Sequence, residues 1–162
     1  MRKAAVRAIT EEPIDEIWKE IIDVKNWDKL IKFVKKIYIS DPVREGTYFY
    51  DITAILVLPT PIKHKIVKIE KYKKFWMEAY LPLGSGKMFQ TIDIKNKNGK
   101  KEVKIEIKFY ISFFLFDWIF GPILEIRLKQ MIVETLEKLD NKIRAKNLKK
   151  GISRKSEIIL DR

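Results

Sequence analysis

GPILEIRLKQMIVETLEKLDNKIRAKN, residues 121–147, is the stretch whose reading decides how this chain folds. At about 100° per residue, Leu124, Leu128, Met131, Ile132, Thr135, Leu136, Leu139 and Ile143 fall in one wide sector. Lys129, Glu134, Glu137, Asp140 and Arg144 fall outside it. Gly121-Pro122 marks a start, because proline suits the first turn of a helix. Arg144 and Lys146 suit the negative end of its dipole. Roughly 25 residues at 1.5 Å each predict a rod about 37 Å long. Ile126 and Val133 lie opposite the main stripe, so the helix is expected to meet neighbours on two sides.

Upstream, the pattern describes a sheet that could wrap such a rod. Arg2 to Ile9 alternates loosely and predicts a strand. TEEPIDEIWKEIID then predicts a helix, with Pro13 near its first turn and Glu11, Glu12, Asp15 and Glu16 at its positive end. Ile14, Ile17, Trp18, Ile21 and Ile22 make its buried stripe. Asn26 is placed to cap a second short helix from Trp27 to about Phe33. From Val34 the period changes to two, predicting strands over 34–40, 47–58, 62–71 and 74–81, then one carrying Met88, Gln90, Ile92 and Ile94. Asn98-Gly99 is a hairpin signal. Val103, Ile105, Ile107, Phe109 and Ile111 then alternate with Glu102, Lys104, Glu106 and Lys108, giving one dry and one wet face. The expected architecture is α+β: a curved seven-stranded antiparallel sheet around a long C-terminal helix, with two short helices after the first strand. One helix of ~10 Å diameter is too narrow to fill so wide a curl, so the remaining volume is either packed core or cavity.

Composition narrows the classes. A chain of 162 residues is long enough for one domain with a core of its own. It has no cysteine, which excludes disulfides and thiolate chemistry, and one histidine, which excludes a His-rich metal site within one chain. No metal and no cofactor are expected. No apolar run reaches the ~18 residues of a membrane span, and the opening MRKAAVRAITEE lacks the apolar stretch of a signal peptide; a cytoplasmic protein is expected. The wealth of Lys, Glu and Ile fits a thermophile. The net charge of +12 is concentrated: residues 141–162 hold eight basic and two acidic side chains, and 63–74 hold six lysines and one glutamate. An anionic membrane surface or RNA is therefore a candidate partner, against plain surface solvation. Residues 1–147 are expected to form the domain and 148–162 a basic tail outside its core.

The residues Pro13, Trp18, Asp23, Trp27 and Val34, together with Gly46 opening a long strand and the terminal amphipathic helix, resemble the START-like, or helix-grip, superfamily over roughly residues 3–145. That group includes the birch-pollen-allergen, polyketide cyclase/dehydrase and lipid-transport proteins. The resemblance rests on core and turn positions, so it speaks to fold. It implies a hydrophobic ligand such as a lipid, quinone or polyketide, with catalysis in a minority of members.

The leading functional expectation is therefore the binding, carrying or sensing of such a ligand in an internal cavity. The expected lining is Phe49, Met77, Met88, Ile107, Phe109, Leu128 and Ile132, with Trp27 and Phe116 or Trp118 near the mouth. Gln90 shares the parity of Met88 and Ile92 and is an inward polar group. Asp51 sits in a strand apolar on both faces, so its direction stays open. An inward Asp51 would anchor a polar head, and an outward one would be a surface acid. His64, between Lys63 and Lys65, reads as a surface histidine. A cyclase- or dehydratase-type enzyme is the alternative, with only Asp51, Glu78, His64, Gln90 and tyrosines to supply acid–base groups. The run SFFLFDWIFGP, residues 112–122, reads as a plug under the helix start, as a lid or membrane-dipping lip at the cavity mouth, or as a dimer contact.

Overall fold

The computed structural model describes residues 1–54, 58–149, 151 and 155–160. The chain opens with β1 (Arg2–Thr10), then α1 (Ile14–Ile22), a single 3-10 turn at Val24–Asn26 and α2 (Trp27–Leu30). Pro13 stands at the α1 N-cap with Asp15 and Glu16 in the first turn. Asn26 does not cap α2 with its side chain. Its Nδ2 instead donates to the Asp23 carboxylate at 2.9 Å, which tightens the 3-10 turn. Then follow β2 (Val34–Tyr38), β3 (Tyr48–Thr53), β4 (Thr60–Glu70), β5 (Lys74–Tyr80), β6 (Gly86–Lys97) and β7 (Lys100–Ile111). The strand expected over 47–58 ends at Thr53, and residues 55–57 lie outside the described residues. Asn98 and Gly99 both take positive φ, 51° and 79°, as a two-residue hairpin turn between β6 and β7 requires.

All neighbours in the sheet pair antiparallel, in the order β2-β3-β4-β5-β6-β7-β1, continued by one further strand. That strand is β8 (Ser156–Leu160), paired with β1 from Val6↔Leu160 to Thr10↔Ser156. Among the described residues the sheet therefore has eight strands where seven were expected, and Ser156–Leu160 belongs to it rather than to a tail outside the core. The cause is non-local. β1 would otherwise leave an open edge, and an unpaired edge accepts any strand that reaches it. The Glu11 amide donates to the Lys155 carbonyl at 3.1 Å, and Arg144 donates to the Ser156 hydroxyl, so the return is tied at its first residues.

The long helix α3 spans Phe114–Leu148 and starts at Phe114 rather than at Gly121. Leu124, Leu128, Ile132, Leu136, Leu139, Ile143 and Asn147 are its buried row, spaced by three and four. It crosses the sheet against β1 and β7. Gly121 marks a close approach rather than a start. A Cβ there would stand 2.1 Å from Arg2 Nε. The guanidinium of Arg2 lies across the helix and holds Asp117, with Nε 3.3 Å from Oδ1 and Nη2 3.1 Å from the Asp117 carbonyl. At the other end, Glu20 of α1 receives Lys142 and, at 2.5 Å, Lys146. Burial works against the Glu20 carboxylate, but the two ammonium groups outweigh it and hold its pKa below the usual value.

Candidate functional site

The inward face of the sheet is built from cross-strand rungs. One runs Phe49, His64, Ala79, Met88, Phe109 across β3 to β7. The next includes Ile66, Met77, Gln90 and Ile107. Because α3 lies over the β1–β7 side, the rungs on β3–β6 face open space. A cavity of about 720 Å³ occupies it, bounded by β3–β6, α2 and the N-terminal half of α3. A smaller cavity of about 70 Å³ adjoins it, sharing Trp27, Ile31, Met77, Gln90 and Met131.

Of the residues expected at the site, Trp27, Asp51, Met77, Met88, Gln90, Phe116 and Leu128 line the large cavity. Ile107 and Ile132 line only the smaller one. Phe49 and Phe109 line neither; both are fully buried within the wall. Phe49 is covered by His64, stacked on it at 4.6 Å with planes 6° apart, and by the edge of Trp27 at 6.3 Å. Trp18, Tyr72 and Trp27 show how the short helices are seated: Trp18 meets Tyr72 edge-on, and Trp27 Nε1 donates to the Ile21 carbonyl at 3.1 Å. Trp118 does not reach the cavity either. It is 70% exposed, because the helix turns it away from Phe116.

The direction of β3 and β4 is settled by their neighbours. Asp51 points inward and is 6% exposed, and His64 is 3% exposed, so His64 is not the surface residue its lysine neighbours suggested. Ile62, His64 and Ile66 share the buried parity while Lys63 and Lys65 take the other face. That alternation was present in the sequence and was the signal to weigh. Thr53 Oγ1 donates to Asp51 Oδ1 at 2.9 Å. His64 Nε2 stands 2.9 Å from Asp51 Oδ2 but without hydrogen-bond alignment, so neither ring nitrogen has a hydrogen-bond partner. Glu78, the other acid weighed, faces outward. It accepts from Tyr80 Oη at 2.7 Å, which pushes the Tyr80 pKa up to about 12.

The mouth also carries apolar side chains outside the expected lining: Leu58, Leu83, Phe113 and Phe120. Phe113 at the N-cap and Phe116 and Phe120 in the first turns of α3 follow one face, with Phe116 and Phe120 stacked at 5.3 Å. The run 112–122 is thus helix and rim, not a plug. Phe114, Leu115, Trp118, Ile119 and Ile123 occupy its outer faces and are exposed. Among the described residues, no helix is long and apolar enough to cross a membrane.

Neither a scan against protein-family models nor a search of curated proteins finds a match. Solved structures do match over nearly the whole chain. A START superfamily protein from Mycobacterium smegmatis aligns with TM-score 0.68 at 9% identity, covering 87% of this chain and 96% of that one. Ara h 8.0201 aligns with TM-score 0.68 at 14% identity, covering 88% and 97%. The di-domain ARO/CYC StfQ from the steffimycin biosynthetic pathway aligns with TM-score 0.71 at 10% identity, covering 93% of this chain and 52% of that one. The chain has the START-like, helix-grip fold. At these identities the likeness is one of fold.

Proposed function

We propose that the protein binds, and so carries or senses, a hydrophobic small molecule of lipid, quinone or polyketide-like type in the large cavity. The observation that carries this reading is a cavity of about 720 Å³ walled mainly by Leu, Ile, Met, Phe and Trp side chains. That volume is in the usual range for small-molecule sites, as is the mixture of apolar wall and few polar groups. Burying ~200 Å² of ligand surface at about 25 cal/mol per Å² supplies up to ~5 kcal/mol before association costs, so micromolar affinity needs polar contacts as well. Met77 and Met88 give the wall side chains that adapt to ligand shape. The cyclase or dehydratase alternative has Asp51 and His64 as its only titratable groups among the described lining residues. Binding without chemistry is the simpler use of this wall.

Titration with a lipophilic quinone or a fluorescent fatty alcohol, followed by emission, tests the reading. Saturable micromolar binding is expected, and Met88→Trp, which narrows the cavity, should weaken it about tenfold or more while the protein stays folded. Failure of quinone and fatty-alcohol probes alike to bind removes the reading.

The exposed rim favours a second element, docking on an anionic bilayer. Phenylalanine and tryptophan suit the membrane interface. Here phenylalanines rim the cavity and Trp118 stands exposed on the same helical turns, on a chain of net charge +12. The C-terminal basic cluster supports RNA less well, since Lys142 and Lys146 are held by Glu20 and Arg144 lies 2.8 Å from Asp140. Co-sedimentation with vesicles of phosphatidylcholine and phosphatidylglycerol should show binding that Trp118→Asp lowers fivefold or more. Unchanged sedimentation of the variant would remove the docking element.

A further inference from the structure

One strip of the cavity wall is polar where nearly everything around it is apolar. Asp51 and Thr53 on β3 and His64 on β4 are each more than nine-tenths buried, and all three line the large cavity. Within the strip the carboxylate is partly provided for, with Thr53 donating to one oxygen and His64 Nε2 within 2.9 Å of the other. The imidazole is not. One of its faces is committed to Phe49, which leaves the edge with its two nitrogens: Nε2 stands beside Asp51 Oδ2 without hydrogen-bond alignment, and Nδ1 makes no hydrogen bond. A buried polar group without a partner costs free energy. A core position would serve stability better with an apolar side chain of similar size. The arrangement is explained if the missing partner arrives with the ligand.

The chemistry of the strip selects the kind of partner. A carboxylate or phosphate would meet Asp51, and no Lys or Arg is found among the described residues lining the cavity. An ammonium group only donates, so it would crowd His64 Nε2 beside the Asp51 carboxylate and leave an imidazole N–H without an acceptor. A neutral imidazole offers one N–H donor and one bare nitrogen acceptor. A hydroxyl group both donates and accepts, so it satisfies whichever ring nitrogen it meets, and it adds no charge to an apolar chamber. We propose that Asp51, Thr53 and His64 form the polar recognition site of this cavity, and that its ligand is a lipophilic molecule carrying a hydroxyl group, of the phenol or long-chain alcohol class. The inference rests on the ligand-binding reading above and specifies it.

Two probes of nearly the same shape, 2-naphthol and 2-methylnaphthalene, separate the two readings when titrated by calorimetry into the wild type and His64→Leu. The variant should weaken 2-naphthol about tenfold or more, while 2-methylnaphthalene stays within about twofold and so reports an intact fold and cavity. Comparing the two ligands across the two proteins cancels their different hydration. An equal change for both probes overturns the polar site and leaves the cavity reading standing. Failure of 2-naphthol alone to bind the wild type overturns the polar site and leaves the cavity reading standing, and failure of both probes overturns both.

A second measurement needs no variant. His64 is the only histidine in the chain, so the imidazole ¹⁵N resonances of the wild-type protein report this site alone. Saturation with 2-naphthol should shift them well beyond any change produced by 2-methylnaphthalene. Ring nitrogens that respond alike to both probes would overturn the proposal.

Discussion

The two ends of α3 carry similar amounts of apolar side chain and put them to opposite uses. From Leu124 to Asn147 the apolar residues recur every three or four positions, and that single row is buried against β1 and β7. Its flanks are held by ion pairs: Lys142 and Lys146 to Glu20, and Arg144 to Asp140. From Phe114 to Ile123 apolar residues occupy nearly every position, and a helix can turn only one face to a sheet. Phe116 and Phe120 go to the cavity, while Phe114 and Trp118 are left 80% and 70% exposed. Periodic apolarity thus marks a helix face that packs. Apolarity on all sides marks one that meets something outside the folded chain.

The largest expected effect is at the packed end. Ile132→Ala, at a fully buried position, should cost about 2–5 kcal/mol through lost burial and a cavity that closes incompletely. The midpoint of urea unfolding measures it. A cost below about 1 kcal/mol would mean that the helix is not gripped where the burial places it.

Acid should act next, through Glu20 at that end and through Glu106 on the sheet. Glu106, on the outer face of β7, is opposed by partial burial but lies within 3.3 Å of Lys3, Lys104 and Lys108, which bring its pKa down to about 2. Glu20 is lowered by Lys142 and Lys146 despite its burial. Both folded-state values lie below the ordinary carboxylate value. Their contribution is therefore fully present above about pH 4.5 and is lost as pH falls through the folded values, toward about 2 for Glu106. After allowance for solvent screening, roughly 1–3 kcal/mol should disappear between pH 5 and 2. Glu20→Gln should flatten part of that slope in thermal unfolding followed against pH. A slope unchanged by Glu20→Gln would show that the α1–α3 tie contributes nothing. At the exposed end, Phe114→Ala should change stability by less than about 0.5 kcal/mol. A much larger loss would erase the contrast between the two ends.

Much of the fold was legible because the signals that carry it are local. The alternation from Val103 to Ile111, the Asn98-Gly99 turn and the stripe from Leu124 to Ile143 each follow from backbone geometry within a few residues. The curved sheet on a long helix followed from their order. Cavity-lining residues were legible where strand parity was clear, as for Met77, Met88 and Gln90. They were not legible where a strand is apolar on both faces, as around Asp51, or where flanking lysines drew attention from the alternation, as at His64.

The sequence by itself determined the elements, their antiparallel order and the helix row that faces the sheet, because periodicity is a property of neighbouring residues. Tertiary structure alone decided the rest. Gly121 reads as a helix start until Arg2, from the far end of the chain, is seen lying across it. Ser156–Leu160 reads as a charged tail until the free edge of β1 receives it. The cavity itself exists because α3 sits to one side of a sheet too wide for it. That offset is set by contacts between residues more than a hundred positions apart, such as Glu20 with Lys142 and Lys146, and no local pattern can record it.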